Sequence, residues 1–142
     1  MVPVRKANAV WEGSLIDGKG TVEVESGLFK GLYSFLTRFK EGEGTNPEEL
    51  LGAAHAACYS MAFSSMLGER GYKPVKISTE SNVNIEKVSG DFAITKILLV
   101  TRGEVPDIDE ETFLKIANEA KVGCPVSKAL AATIIELEAI LL

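Results

Sequence analysis

The chain carries two cysteines, Cys58 and Cys124, and a single histidine, His55. A thiol reacts as its thiolate, so a cysteine does chemistry only where a cation or a hydrogen-bond donor holds its negative charge. Cys58 lies within AAHAACYSMAF, and apolar surroundings alone raise a thiol's pKa; taken by itself it reads as inert. Cys124 immediately precedes Pro125, which places it at the N-cap of a short helix over CPVSKAL, where unpaired N–H groups and the helix dipole favour negative charge. A sulfur so placed is a good leaving thiolate and a good partner for a sulfenic acid. The two cysteines are distant in sequence, and only the fold can bring them together. Two cysteines and one histidine fall short of the four ligands of a structural zinc site. The plain alternative is two inert thiols packed as small hydrophobes.

Three further side chains bear on those sulfurs. Arg38, in TRFKEGEG, keeps its charge at any relevant pH, and its planar fork can hold a thiolate and a peroxide oxygen together; otherwise it is a solvated loop charge. Glu48 and Glu49 read as first-turn carboxylates favoured by a helix dipole, with Glu49 assigned to capping and Glu48 freer to orient an arginine. Glu48 and Cys58 are ten residues apart, about 15 Å along a straight helix and about 80° around it. Either the helix breaks between them or the carboxylate comes from a second copy of the chain, two helices packing antiparallel about a two-fold axis. The dimer is favoured. His55 stands one turn before Cys58 on nearly the same face, and reads first as a packed, hydrogen-bonded core histidine. A supporting part in the site or a Cys-His hydrolytic pair is the alternative.

The elements that must position these residues follow from pattern. Residues 4–12 and 20–26 read as strands of a hairpin around GSLIDGKG, and residues 28–39 as another strand or an extended arm. EGEGTNP breaks the pattern and opens a long helix: Asn46 as N-cap, Pro47 at the first helical position, Glu49 at the third to close a capping box. The helix runs to about Leu67, stopping near Gly68 or Gly71. It is apolar on nearly every face, which predicts burial on every side, with small residues admitting neighbouring backbone closely. Residues 75–88 and 91–102 alternate as two strands joined at Ser89-Gly90, one face carrying Ile77, Thr79, Ser81, Val83 and Ile85, the other Ala93, Thr95, Ile97, Leu99 and Thr101. Asp109-Glu110-Glu111 opens a second helix with Phe113, Ile116, Ala117 and Ala120 on one face and Gly123 as its stop. Pro125 starts a short helix, and TIIELEAILL reads as a last strand. This order predicts an α+β fold with a mostly antiparallel sheet.

Composition narrows the function. At 142 residues the chain fits one domain, 1–142, able to bury a real core. Hydrophobic content of 46% against 25% charged residues argues against disorder. A net charge of −5 gives no broad attraction to phosphate, so nucleic acid is not an expected partner. No apolar run approaches the roughly 20 residues that span a bilayer, and MVPVRKANAV lacks the features of a secretory signal; a cytoplasmic protein away from membranes is expected. In that compartment disulfides are usually transient, tied to catalysis or redox sensing.

Together these residues resemble the family of osmotically inducible protein C and the organic hydroperoxide resistance proteins, the OsmC/Ohr family. The resemblance covers essentially the whole chain and is carried by VWEGSLIDGKGTVEVESG, TNPEELLGAAHAACYSMA and CPVSKAL. The AAHAAC block and the TRF segment are more similar to the OsmC branch. The resemblance implies an OsmC-like fold, antiparallel sheets wrapped around long central helices in an intertwined homodimer, with two active sites at the interface. It implies that Cys58 is the peroxidatic cysteine, Cys124 the resolving cysteine, and Arg38 and Glu48 the pair that activates the thiolate. The branches place the arginine differently, and Arg5 and Arg102 are other candidates. The implied reaction reduces organic hydroperoxides, with hydrogen peroxide also accepted, through a Cys58 sulfenic acid and a Cys58–Cys124 disulfide that an external dithiol reopens. No metal, flavin or haem is expected. A disulfide-switched regulator or binding module on the same fold is the competing reading.

Overall fold

The computed structural model describes residues 1–142. The chain forms two compact units, Met1–Leu50 and Leu51–Leu142. In the first, β1 (Ala7–Glu12) and β2 (Lys19–Val24) make the expected antiparallel hairpin, and β3 (Lys30–Tyr33) adds to β2 in the order β1-β2-β3. Gly20 is required here: a Cβ would come within 2.3 Å of the Tyr33 ring, which lies 5.4 Å from Trp11 between centroids.

The extended reading of residues 28–39 holds only as far as Tyr33. Phe35–Phe39 is a short helix, α1, because Ser34 and Thr37 close a reciprocal capping box: the Thr37 N–H donates to Ser34 Oγ at 3.2 Å and the Ser34 N–H to Thr37 Oγ1 at 2.9 Å. Ser-x-x-Thr in place of the usual Ser-x-x-Glu hides the signal. Arg38 therefore sits in the last turn of a helix and not in a loop.

Helix α2 (Pro47–Glu69) starts where the sequence predicts, with Asn46 as N-cap, but the Glu49 side chain turns to Thr45 and does not close the expected box with Asn46. The Glu49 N–H donates to Asn46 Oδ1 at 2.8 Å, while the Glu49 carboxylate accepts from Thr45 Oγ1 at 3.0 Å. The helix is stopped by Gly71, one of the two expected glycines, in a Schellman arrangement: Tyr72 N–H to Leu67 O at 3.1 Å, Gly71 N–H to Gly68 O at 3.0 Å, with Gly71 at φ +87. Only a backbone free of Cβ strain adopts that angle readily.

In the second unit β4 (Lys76–Val88) and β5 (Asp91–Glu104) form a long hairpin. Ser89 and Gly90, at φ 51 and 96, give the left-handed pair of a tight two-residue turn. A bulge shifts the register, Asn84 facing Lys96 but Ile85 facing Ile94. One inserted residue inverts the parity of everything beyond it. Ile97, Leu99 and Thr101 are buried as predicted, but beyond the bulge Ile94 packs against the core and Ala93 is exposed. Strand β6 (Ile134–Leu141) pairs with β5 in parallel, reached by a crossover through α3 (Glu110–Gly123) and α4 (Pro125–Ala129). The fold is α+β with otherwise antiparallel pairing.

Tyr59, Phe63 and Leu67, one stripe of α2, join Phe113, Ile116, Ala117 and Ala120 of α3 and Ile97 and Leu99 of β5 in one buried cluster. Phe63 meets Phe113 edge-on at 5.1 Å. Gly52 lets β4 approach, since a Cβ there would lie 3.3 Å from Ser81 O. The opposite stripe is not covered: Ala53, Ala57, Met61 and Ser65 are exposed. Burial on every side is thus not met within one chain. The expectation that no segment reaches bilayer length also fails, because α2 has 23 residues and a mean hydropathy of 1.2 over its most apolar window. Alanines and serines dilute the run by eye without lowering the average enough. Length and composition alone do not separate a membrane span from the core helix of a globular fold, and Tyr59, Phe63 and Leu67 serve the latter role here.

Phe63→Ala should destabilise the fold by about 3–5 kcal/mol, the usual cost of emptying an aromatic core position. Denaturant unfolding measures it, and a loss below about 1 kcal/mol would contradict this account of the core.

Candidate active site

Two groups of side chains stand out, one in each unit. In the first, α1 presents Arg38 to Glu48 in the opening turn of α2. Nε donates to Oε1 at 3.1 Å and Nη2 to Oε1 at 2.9 Å, with a further Nε contact to Oε2 at 3.3 Å. Asn46 caps α2 and also ties α1 to it, its Nδ2 donating to Thr37 O at 2.9 Å. Glu48 is only 7% exposed, whereas the Arg38 side chain is 37% exposed. The carboxylate is held and the guanidinium keeps an open side. That guanidinium lies 5.3 Å from the Phe39 ring centre, at the edge of a cavity of about 290 Å³ lined by Trp11, Leu15, Tyr33, Phe35 and Pro47 as well.

In the second unit the two sulfurs meet. Cys124, at the junction of α3 and α4, points its thiol at Cys58 with the sulfurs 3.0 Å apart, and both are free thiols. A disulfide needs about 2.05 Å, so roughly 1 Å of movement would close the bond. Cys124 is fully buried; Cys58 is partly exposed. Cys124 caps α4 by position, with φ −58 and ψ 128, but makes no side-chain cap bond. The backbone N–H of Val126 acts instead on Cys58, favouring the charged form of its thiol. The donor expected to serve the second cysteine serves the first.

Burial pushes the Cys58 thiol above its ordinary pKa, the neighbouring Cys124 sulfur adds to that, and the Val126 N–H pulls the other way. The net direction is upward, so the unit holding Cys58 does not by itself supply an activated thiolate. Burial, with the Cys124 charge as a second cause, also raises the Tyr59 phenol, which stays protonated and donates to Ala117 O at 3.0 Å.

His55 is fully buried, and its Nε2 lies 2.8 Å from Ser127 Oγ; its Nδ1 has no partner. Burial lowers its pKa below 6.5, leaving it neutral. The ring is committed to Ser127 and not to a cysteine, which removes the arrangement a Cys-His hydrolase needs. Arg5 and Arg102, the other candidate cations, are exposed, and Arg102 stands on β5 between the buried Thr101 and Gly103, on the face away from the core. Sequence reasoning missed Ser127, and it assigned the N–H groups opening α4 to Cys124 where that of Val126 acts on Cys58.

A family model described as OsmC-like protein matches residues 40–138. The chain belongs to the OsmC-like family. It is 54% identical over 131 residues to peroxiredoxin OsmC of Escherichia coli strain K12, covering 92% of each chain. It is 34% identical over 89 residues to the organic hydroperoxide resistance protein of Xanthomonas axonopodis pv. citri, covering 62% of this chain and 61% of that one. Among solved structures, the OsmC-like protein of Mycoplasma pneumoniae superposes with a TM-score of 0.77 at 17% identity, over 100% of this chain and 99% of that one. OhrB of Bacillus subtilis does so with a TM-score of 0.71 at 24% identity, over 96% and 98%. These two show that the OsmC-like fold is shared.

Burial is the larger cause of the raised Cys58 pKa and the Cys124 sulfur the second; replacing Cys124 by Ala removes the second and leaves the Val126 N–H in place. The midpoint of Cys58 alkylation by iodoacetamide should therefore move to lower pH. A midpoint that stays or rises would contradict this account of the Cys58 environment.

Proposed function

We propose that this chain is a thiol-dependent peroxidase that reduces organic hydroperoxides, and hydrogen peroxide as a smaller substrate, with Cys58 as attacking thiolate and Cys124 as its resolving partner. The observation that carries the reading is the 3.0 Å approach of two sulfurs, one partly exposed and one buried. The naming of a peroxiredoxin and an organic hydroperoxide resistance protein among the relatives favours the same chemistry.

The Cys58 thiolate attacks the distal oxygen of ROOH. The O–O bond breaks, an S–O bond forms, and the departing alkoxide takes a proton to leave as ROH. The Cys58 sulfenic acid then condenses with the Cys124 thiol, releasing water and forming the disulfide. An external dithiol reduces that bond by exchange and is itself oxidised. Cysteine supplies all the redox chemistry, so the reading calls on no metal, flavin or haem.

Activation requires a cation at Cys58. Arg38, braced by Glu48, is suited to it, but ten residues of unbroken helix separate Glu48 from Cys58, about 15 Å of rise. The chain therefore acts as a homodimer, in which the Arg38–Glu48 pair of one copy serves Cys58 of the other and the exposed stripe of α2 is covered. In that assembly residues 1–142 work as one functional domain, and the aromatic cavity beside Arg38 accommodates the organic group of the substrate. The expected setting is the cytoplasm, with neither nucleic acid nor membrane as partner.

With cumene hydroperoxide and excess dithiol, the protein should turn over many equivalents; consumption of a single equivalent would favour the regulator reading instead. Cys58→Ser should abolish turnover, and Cys124→Ser should oxidise once and stall; the reverse pattern would exchange their roles. Arg38→Ala should slow peroxide reduction about 10²–10³-fold, the cost of removing one electrostatic stabiliser. Refolding Arg38→Ala and Cys58→Ser chains together should recover activity, since each mixed dimer holds one complete site. No recovery would place the arginine and the cysteine on the same chain.

A further inference from the structure

Among the groups the proposed chemistry does not use, the buried bond between His55 and Ser127 has the most telling location. His55 stands three residues before Cys58 on α2, and Ser127 three residues after Cys124 on α4. Their side chains are 0% and 3% exposed and meet at 2.8 Å. Assigning the ring proton to Nε2 makes His55 the donor to Ser127 Oγ and leaves only a lone pair unpaired at Nδ1; the other tautomer would bury an N–H without an acceptor, the rarer outcome.

The segment this bond anchors is short: Cys124 lies in the buried core cluster with Val126 and Leu130 packed against it, and to that non-directional packing the His55–Ser127 bond adds a directional polar tie to α2. Helix α4 is five residues long, and Cys124 makes no side-chain cap bond at its start. Yet this segment carries Cys124 Sγ and the Val126 N–H, both directed at Cys58. We infer that His55 and Ser127 are positioning residues for the resolving step, a latch that fastens the Cys124–Ser127 segment to α2 and so keeps Cys124 within bonding reach of Cys58. This rests on the peroxidase reading for its purpose, though not for its geometry.

The consequence is a competition. Once Cys58 is a sulfenic acid, Cys124 attacks its sulfur and expels water. A second hydroperoxide can act instead, adding its distal oxygen to give the sulfinic acid and releasing ROH. The first route depends on where Cys124 is held; the second does not. The latch therefore sets how much peroxide the protein withstands before it is overoxidised, while the first oxidation of Cys58 is largely indifferent to it, because displacing the segment moves away both the Cys124 sulfur and the Val126 N–H, whose effects on the Cys58 thiol oppose each other.

Ser127→Ala and His55→Ala should each form the sulfenic acid within about two-fold of the wild-type rate in single-turnover measurements. Both should close the disulfide about ten-fold more slowly, a loss typical of one buried hydrogen bond. The peroxide concentration that half-converts Cys58 to a product 32 Da heavier, two added oxygens, should fall in proportion. His55→Gln and Ser127→Thr keep a donor and a hydroxyl and should restore resolution. If any variant fails to fold, these conservative changes still carry the test. The inference is overturned if both steps slow together, if resolution is unchanged in both alanine variants, or if the conservative variants are as slow as the alanine ones. A peroxide-independent measurement separates failure of the latch from failure of the peroxidase reading. In equilibrium with oxidised and reduced glutathione, one disulfide exchanging for two thiols, Ser127→Ala should lower the constant for closing Cys58–Cys124 about ten-fold, or about 30 mV for a two-electron couple. A wild-type protein inert to hydroperoxide that nevertheless shows this shift would keep the latch and discard the peroxidase.

Discussion

Two sulfur atoms held 3.0 Å apart against a hydrocarbon cluster set conflicting requirements on everything around them. Contact between them is needed for a disulfide, and exclusion of water keeps their geometry defined. The same burial opposes ionisation, and each sulfur, once charged, opposes ionisation of the other. The second unit meets this conflict only in part, through the Val126 N–H. Its hydrophobic packing, with Tyr59 and Phe63 on α2 facing α3, is arranged to hold sulfurs in place and not to activate them.

Much of this was legible in residue order because it is local. Asn46-Pro47 sets the start of α2, Asp109 caps α3 with its Oδ1 2.8 Å from the Thr112 N–H, and Ser89-Gly90 turns the β4–β5 hairpin; each signal lies within four residues of its effect. Cys58, Cys124, Arg38 and Glu48 were singled out as residue types able to do the chemistry. What escaped was set by longer-range or subtler causes. The α1 helix depends on a Thr side chain acting where Glu is usual. The bulge opposite Asn84 moves Ile94 into the core without any break in the alternating pattern. The parallel pairing of β6 follows from the length of the α3–α4 crossover, which no pattern within the strand itself encodes.

For His55 the plain reading and the positioning role inferred above are compatible. It is a buried, neutral, hydrogen-bonded core histidine, as its apolar surroundings predict. Its partner, however, is a serine one turn beyond Cys124, and nothing in a linear sequence announces a bond between residues 55 and 127. An apolar pair of similar volume could fill that space but would have no directional hold on a segment as short as α4. A single buried hydrogen bond, being sensitive to tenths of an ångström, provides one.

The proposed chemistry asks the Arg38–Glu48 pair to meet a thiolate, and the geometry of the pair suits that task. Nε and Nη2 are spent on the carboxylate, and the remaining N–H groups of the fork, Nη1 among them, stay free. The nearly buried Glu48 carboxylate needs a partner for its charge, and Arg38 supplies one while its own side chain stays 37% exposed. Neutralising the charge would be a poor strategy if the guanidinium acted only as a distant cation. At contact range the free N–H donors matter more than net charge, and fixing the plane of the fork removes rotamer freedom that would otherwise be lost on meeting the sulfur. The glutamate thus gives up some electrostatic strength for orientation. In the proposed mechanism that exchange favours catalysis only if a thiolate and a peroxide oxygen are presented along the fork's open edge, which is the task the proposed homodimer assigns to a second copy.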